Sequence, residues 1–230
     1  MDRAEALSYY EEFPFHEHPL WLSIISGVLT AEQVLKAEIQ HYIRSEVGKI
    51  FREHSAVAAK HLDDNIYDLL HQTVEEECYG SDGGPSHAEL IKQFLLQNGV
   101  STSDLRTAIS TPGNAAAIAL YKDISERGPL HHMIGAGCVE YYYSKICPRI
   151  YAAYEQIYKF KPGSFDTYKL HGPMDEVHGE RALETLSSPL AKALDPELRI
   201  AIRDAFVATS LHYDGMLQAA TSTNTYWSGR

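Results

Sequence analysis

Apolar residues recur at three- and four-residue steps along most of this chain, and turn residues cut the pattern into helix-sized lengths. Behind Thr30, a residue suited to an N-cap, the series Val34, Leu35, Ala37, Ile39, Tyr42, Ile43, Val47 and Ile50 keeps a helical period, which predicts a helix over 30–61. A second helix, 64–78, runs into the breaker Gly80-Ser81-Asp82-Gly83-Gly84-Pro85. Ser86 caps a third, 87–97, which Asn98-Gly99 ends. Helical stretches at 101–109 and 114–126 stop at Thr111-Pro112-Gly113 and Arg127-Gly128-Pro129. The longest unbroken pattern, 131–160, ends at Lys161-Pro162-Gly163, and helices over 173–186 and 196–220 complete the chain. No segment alternates apolar and polar residues between turn dipeptides, so no strand is expected. The expected architecture is one all-α domain over 1–230, a bundle of about seven to eight helices packed antiparallel around a core.

Composition narrows the function classes. With 230 residues, 44% of them hydrophobic and 22% charged, the chain reads as an ordinary globular protein with a sizeable core. A formal charge of −11 argues against nucleic acid or an anionic membrane as partner. Cys78, Cys138 and Cys147 form no CxxC pair, so a reduced, cytoplasmic setting is expected. The acidic first residues lack the apolar run of a signal peptide, and no stretch approaches the length of a membrane span.

The chemistry concentrates in His171-x3-Asp175-x2-His178. Positions i, i+4 and i+7 share a helix face, so three potential ligand heads can point at one spot. Gly172-Pro173 lies inside the triplet, and proline favours the first position of a helix. The helix is therefore expected to start there, with His171 delivered from the preceding turn. Glu77 closes the second helix within Glu75-Glu76-Glu77, a placement that the helix dipole disfavours, and His87 opens the third. Steps of three and four from Ile66 through Leu70 and Thr73 select Glu77, with Glu76 as the fallback. Glu140 is a lone carboxylate within the small and aromatic run Ile134 to Tyr143, costly to bury unless paired or metal-bound. Glu46, on the first long helix, is a further candidate. Trp21, Tyr141, Tyr142, Tyr143 and Tyr168 are candidates for an aromatic pocket wall.

Taken in order, Glu…His…Glu…His-x3-Asp-x2-His on an all-helical chain resembles the haem-oxygenase-like di-iron oxidases. Their superfamily also holds thiaminase-like and pyrroloquinoline-quinone-synthase-like proteins. Residues 17–42 look like that superfamily's N-terminal signature, and the Glu77-to-His87 segment with Glu89-Leu90 resembles its Glu, Gly-rich turn, His-x-x-Leu element. The resemblance implies a haem-oxygenase-like bundle in which Glu77, His87, Glu140, His171, Asp175 and His178 bind two irons per chain, with O2 as co-substrate. It names no catalytic residue beyond those ligands. One departure concerns Pro148: aligning on it would put Ser144 at the glutamate's place, so Glu140 requires a one-turn shift. Another concerns Trp21, which stands where a chlamydial member carries a tyrosine that it sacrifices to form para-aminobenzoate. The self-sacrificing reaction is not expected here.

The leading functional expectation is an iron- and O2-dependent oxidase or oxygenase acting on a small metabolite, an amino acid or a derivative, in a biosynthetic pathway. An external electron donor and a homodimer accompany that expectation by resemblance. Mixed imidazole and carboxylate ligation suits iron in both oxidation states and leaves positions for O2. The competing expectations are a metal-free relative that uses its histidines and carboxylates as acids and bases, and a non-catalytic helical interaction protein.

Overall fold

The structure is a computed structural model that describes residues 1–80 and 83–230. Ser81 and Asp82 of the expected Gly-rich breaker lie outside the described residues. Among the described residues every regular element is helical, and the chain has a haem-oxygenase-like fold. Seven helices have eleven residues or more: α3 (Ala31–Ala59), α4 (Asp64–Val74), α5 (His87–Gln97), α7 (Pro112–Arg127), α8 (Pro129–Gln156), α9 (Thr167–Glu184) and α11 (Asp195–Thr221). Four shorter ones are α1 (Arg3–Ser8), α2 (Pro19–Ile25), α6 (Thr102–Thr107) and α10 (Pro189–Ala193). None is long and apolar enough to cross a membrane.

Local chemistry explains the starts. Thr30 and Gln33 close a reciprocal capping box on α3, Asp63 caps α4 and Ser86 caps α5. One start differs from expectation. α9 begins at Thr167, not at Pro173, so Pro173 lies inside the helix and His171 is on it. Proline normally drives the preceding residue out of the helical region through its Cβ, and Gly172 has none.

α8 packs along α9, and α11 packs along α7, α3 and α8. Glycine permits two close crossings. A Cβ on Gly137 of α8 would lie 2.1 Å from Ala182 Cβ of α9, and one on Gly215 of α11 would lie 2.3 Å from the Asn114 nitrogen of α7. The α8–α9 crossing sets Glu140 against His178, and α3 crosses beside them with a row of polar side chains.

Candidate metal centre

Beyond α4 the chain makes a π-helical turn, Glu75–Tyr79, which carries Glu77 into the bundle. Such turns are rare and occur often at functional sites. Glu77 is buried and central: Oε2 lies 3.4 Å from His87 Nδ1, and Oε1 lies 3.6 Å from both His171 Nε2 and His178 Nδ1. Two groups of donors share it. Ligand atoms of Glu77, His87 and His171 lie within 4.8 Å of one another, and so do those of Glu77, Asp175 and His178. Glu140 joins the second group from α8, with Oε2 3.5 Å from His178 Nδ1. All six candidates from α5, α8, α9 and the π turn thus come together. Ser144, the alternative on α8, turns its hydroxyl to its own helix at Tyr141.

The outer partners fix which nitrogens carry protons. His171 Nδ1–H donates to the Thr167 carbonyl at 2.8 Å, leaving Nε2 with its lone pair inward. His178 Nε2–H donates to Glu76 Oε2 at 2.9 Å, leaving Nδ1 inward. Glu76 is in turn held by Arg181 at 2.7 Å. It is therefore the partner behind a histidine, and Glu77 is the carboxylate that faces the centre. For His87 the chain of donors is longer. His41 Nδ1 faces Glu38 at 3.2 Å and must be the N–H, so His41 Nε2 accepts from His87 Nε2–H at 3.3 Å. His87 Nδ1 is then a bare lone pair, 2.5 Å from the bare His171 Nε2. Two ring nitrogens this close beside a carboxylate share a positive charge, that of a proton or of a metal ion held with Glu77. Glu77 Oε1 and His178 Nδ1 are, moreover, buried without any hydrogen-bond partner.

The charges agree with that reading. Glu77, Glu140 and Asp175 bring three carboxylates, and among the described residues Arg52 is the guanidinium that pairs with them, 2.7 Å from Glu140 and 3.7 Å from Glu77. Burial, with Glu140 and Glu77 beside it, pushes the Asp175 carboxyl well above its usual range. His178 loses to burial but gains more from Glu140, Glu77 and Glu76, so without a metal its inward Nδ1 takes up a proton more readily than usual, the proton standing where a cation would bind. His87 is pushed down to about 3 by burial and by His171. Glu77 resists burial because His87 and Arg52 face it, and it stays well below the usual carboxylate range. The cluster is short of positive charge, and its bare donors are imidazole and carboxylate, the set that suits iron among first-row ions. The residues present fit the group that the sequence led us to expect.

Other expectations fare differently. Glu46 is exposed on the outer side of α3, turned from the centre by the helical period. Trp21 and Tyr143 line the cavity beside Glu77 and Glu140. Tyr141 does not line it: its ring sits between Arg3 and Lys145, at 5.3 and 4.5 Å. Tyr142 stacks on Tyr10 instead. Tyr168 is buried, and its hydroxyl joins that of Tyr154 on Glu38 Oε1, each at 2.5 Å. Glu38, His41 and Arg52 are the residues that sequence reasoning missed. Their signal was a polar row at steps of three, four and seven on an otherwise apolar α3 face, through His41, Ser45 and Arg52.

A family model for iron-containing redox enzymes matches residues 39–214, which hold all six candidates. No curated protein matches the sequence. Among solved structures, the chain is similar to a domain of unknown function with a haem-oxygenase-like fold from Shewanella denitrificans. The TM-score is 0.76 at 14% identity, over 96% of this chain and 94% of that one. It is also similar to a TenA family transcription regulator from Silicibacter, with TM-score 0.75 and 17% identity over 96% and 97% of the two chains. A CADD-like protein of unknown function from Nostoc punctiforme aligns with TM-score 0.71 and 13% identity over 97% and 96%. At these identities the likeness is one of fold.

Proposed function

Because the chain belongs to the family of iron-containing redox enzymes, we propose that it is a di-iron, O2-dependent oxidase or oxygenase acting on a small metabolite. The observation that carries this reading is Glu77, one buried carboxylate shared between two groups of donors. His87 and His171 would complete one metal position with it, and Asp175 and His178, with Glu140, the other. Bound there, a pair of irons supplies the electrons that reduce O2 and the oxidising power that acts on the substrate.

The chain's own residues do the rest. Thr167, Glu76 and His41 hold the three imidazoles in the tautomers that turn a lone pair inward, and Glu38 anchors His41 from behind. Arg52 offsets part of the carboxylate charge at Glu140 and Glu77 and bounds the cavity on that side. Trp21, Tyr143 and Tyr213 exclude water from the opposite wall.

Anaerobic loading with Fe(II), followed by iron determination on the full chain and on His178→Ala, tests the reading. The expected result is close to two irons per chain, falling by about one in the variant because each position draws on its own histidines. Fewer than about one iron per unmodified chain would sink it. That outcome would favour acid–base use of the displaced Asp175 and His87 protons without metal.

A further inference from the structure

Beside the candidate centre lies a cavity of about 100 Å³, lined in part by Glu77, Glu140 and Asp175. Its α3 side presents Arg44, Gly48 and Arg52, and Trp21, Tyr121, Tyr143 and Tyr213 also line it. Two cations of that side are engaged. Arg52 bonds to Glu140, and Lys49 lies 3.9 Å from Glu53 and over the Tyr79 ring. Arg44 has no carboxylate and no hydrogen-bond acceptor among the described residues, and its Nε is buried without a partner. The Tyr121 ring lies 4.6 Å beneath the guanidinium, and the Arg44 charge also reaches Asp175, whose carboxyl it favours ionised without bonding to it. Tyr121 is fixed through its hydroxyl to Thr209.

We propose that Arg44 binds the carboxylate of the substrate, and that the substrate is a small carboxylic acid with a flat, apolar body lying along the aromatic wall. This deepens the oxidase reading and rests on it for what happens next. Arg44 is three residues beyond His41 on one helix face, about 4.5 Å along the axis. An acid held there therefore extends its body towards the centre that His41 supports. A guanidinium fork matches a carboxylate with two parallel hydrogen bonds. A phosphate would call for further free cations or a nest of backbone N–H groups, and this wall offers one guanidinium. Gly48 supplies the room: a Cβ built there meets nothing within 4 Å, on a helix face where the other positions carry side chains.

The test uses the full chain, as isolated and after chelator treatment, with 3-phenylpropionate and its neutral isostere 3-phenylpropionamide as probes, titrated calorimetrically. Three proteins are compared: unmodified, Arg44→Met and Gly48→Leu, each also analysed for bound Fe(II) and for melting temperature. The expected result is that the acid binds the unmodified protein at least about tenfold tighter than the amide, which corresponds to about 1.4 kcal/mol. That preference vanishes in Arg44→Met and persists after chelation, while Gly48→Leu binds neither probe. Arg44→Met should melt no lower than the unmodified protein, because it removes a charge that nothing in the fold pairs. Equal binding of acid and amide, no binding of either, or an acid preference retained in Arg44→Met overturns the proposal. So does a large fall in the melting temperature of Arg44→Met, which would make the guanidinium structural. Acid preference without iron would leave the anchor standing and remove the oxidase reading, and iron without acid preference would do the reverse.

Discussion

Replacing Gly137 with alanine tests whether the close approach of α8 and α9 builds the second half of the centre. The added Cβ would lie 2.1 Å from Ala182 Cβ, whereas carbon atoms in contact sit about 3.5–4.0 Å apart. Both atoms are the first of their side chains, so no rotamer change relieves the clash and the helices must part by roughly 1.5 Å. Glu140 leaves with α8 and His178 with α9, so their 3.5 Å separation opens to about 5 Å. Two ligands with bonds near 2.1 Å to one ion sit at most about 4.2 Å apart, so they no longer share it. Overpacking of this kind costs about 1–3 kcal/mol, a fall of roughly 3–10 °C in melting temperature for a chain of this size. Metal stoichiometry should fall together with the melting temperature.

The compensating change sharpens the test. Gly137→Ala combined with Ala182→Gly moves one methyl group across the crossing and should recover most of both losses. The two substitutions should therefore couple by roughly 1–3 kcal/mol in a double-mutant cycle. A Gly137→Ala protein that melts within about 1 °C of the unmodified one and binds the same metal would refute the reasoning.

Three further outcomes follow from the same geometry. Arg52→Met leaves Glu140 and Glu77 without a counter-ion, which should destabilise the metal-free protein by about 3 kcal/mol. Chemical denaturation with and without Mn(II) checks this, since bound metal should recover most of the loss. Glu76→Ala removes the acceptor that orients His178 and should weaken metal binding about 10- to 100-fold with little change in fold, as read by metal titration. Stability should also fall as pH drops from 7 to 5. Burial pushes His87 and His132 down to about 3 and lowers His18, His131, His171 and His212, so these six take up protons more readily on unfolding, below the unfolded value near 6.5. Asp175 and His178, whose protons the fold holds, oppose them, and six against two leaves stability falling towards pH 5. Denaturation midpoints that rise towards pH 5 would contradict this.

How far the sequence reads depends on which physical signal each residue emits. Helix positions were legible because caps and glycine turns bracket them: α5 lies at 87–97 as the Ser86 cap and Asn98-Gly99 dictate. α9 was misread because the proline rule assumes a side chain on the residue before it, and Gly172 has none. Among the candidate ligands, Glu77 is reachable by the steps of three and four from Ile66 through Leu70 and Thr73, which run on into the π turn. Glu38 and His41 were passed over because each is polar on a helix read through its apolar residues. Only the fold shows Tyr154 and Tyr168 closing on Glu38 from α8 and α9. Arg52 was invisible for the same reason, its partners lying 88 and 25 residues away along the chain.

Satisfied and unsatisfied polar groups are unevenly spread between scaffold and site. Gln40 bonds the Ile109 carbonyl, the Thr111 amide and Asn114, and Asn114 accepts from His212, so that this interior network ties α3, α7 and α11 with its donors spent. Such a network rigidifies a core. Around the cavity and the centre, Trp21 Nε1, Arg44 Nε, Glu77 Oε1 and His178 Nδ1 are buried with nothing to bond, as are His131 Nδ1, Ser210 Oγ and Asp214 Oδ2 outside it. Each orphaned group costs about 1–3 kcal/mol, and a fold that bonds its other interior amides has the means to avoid that cost. The first four are not of one kind. Glu77 and His178 are acceptors that await cations, while Arg44 and Trp21 are donors that await an acceptor. A metal therefore satisfies only half of the cavity, and the remaining half fits an anionic small molecule that arrives with an acceptor of its own.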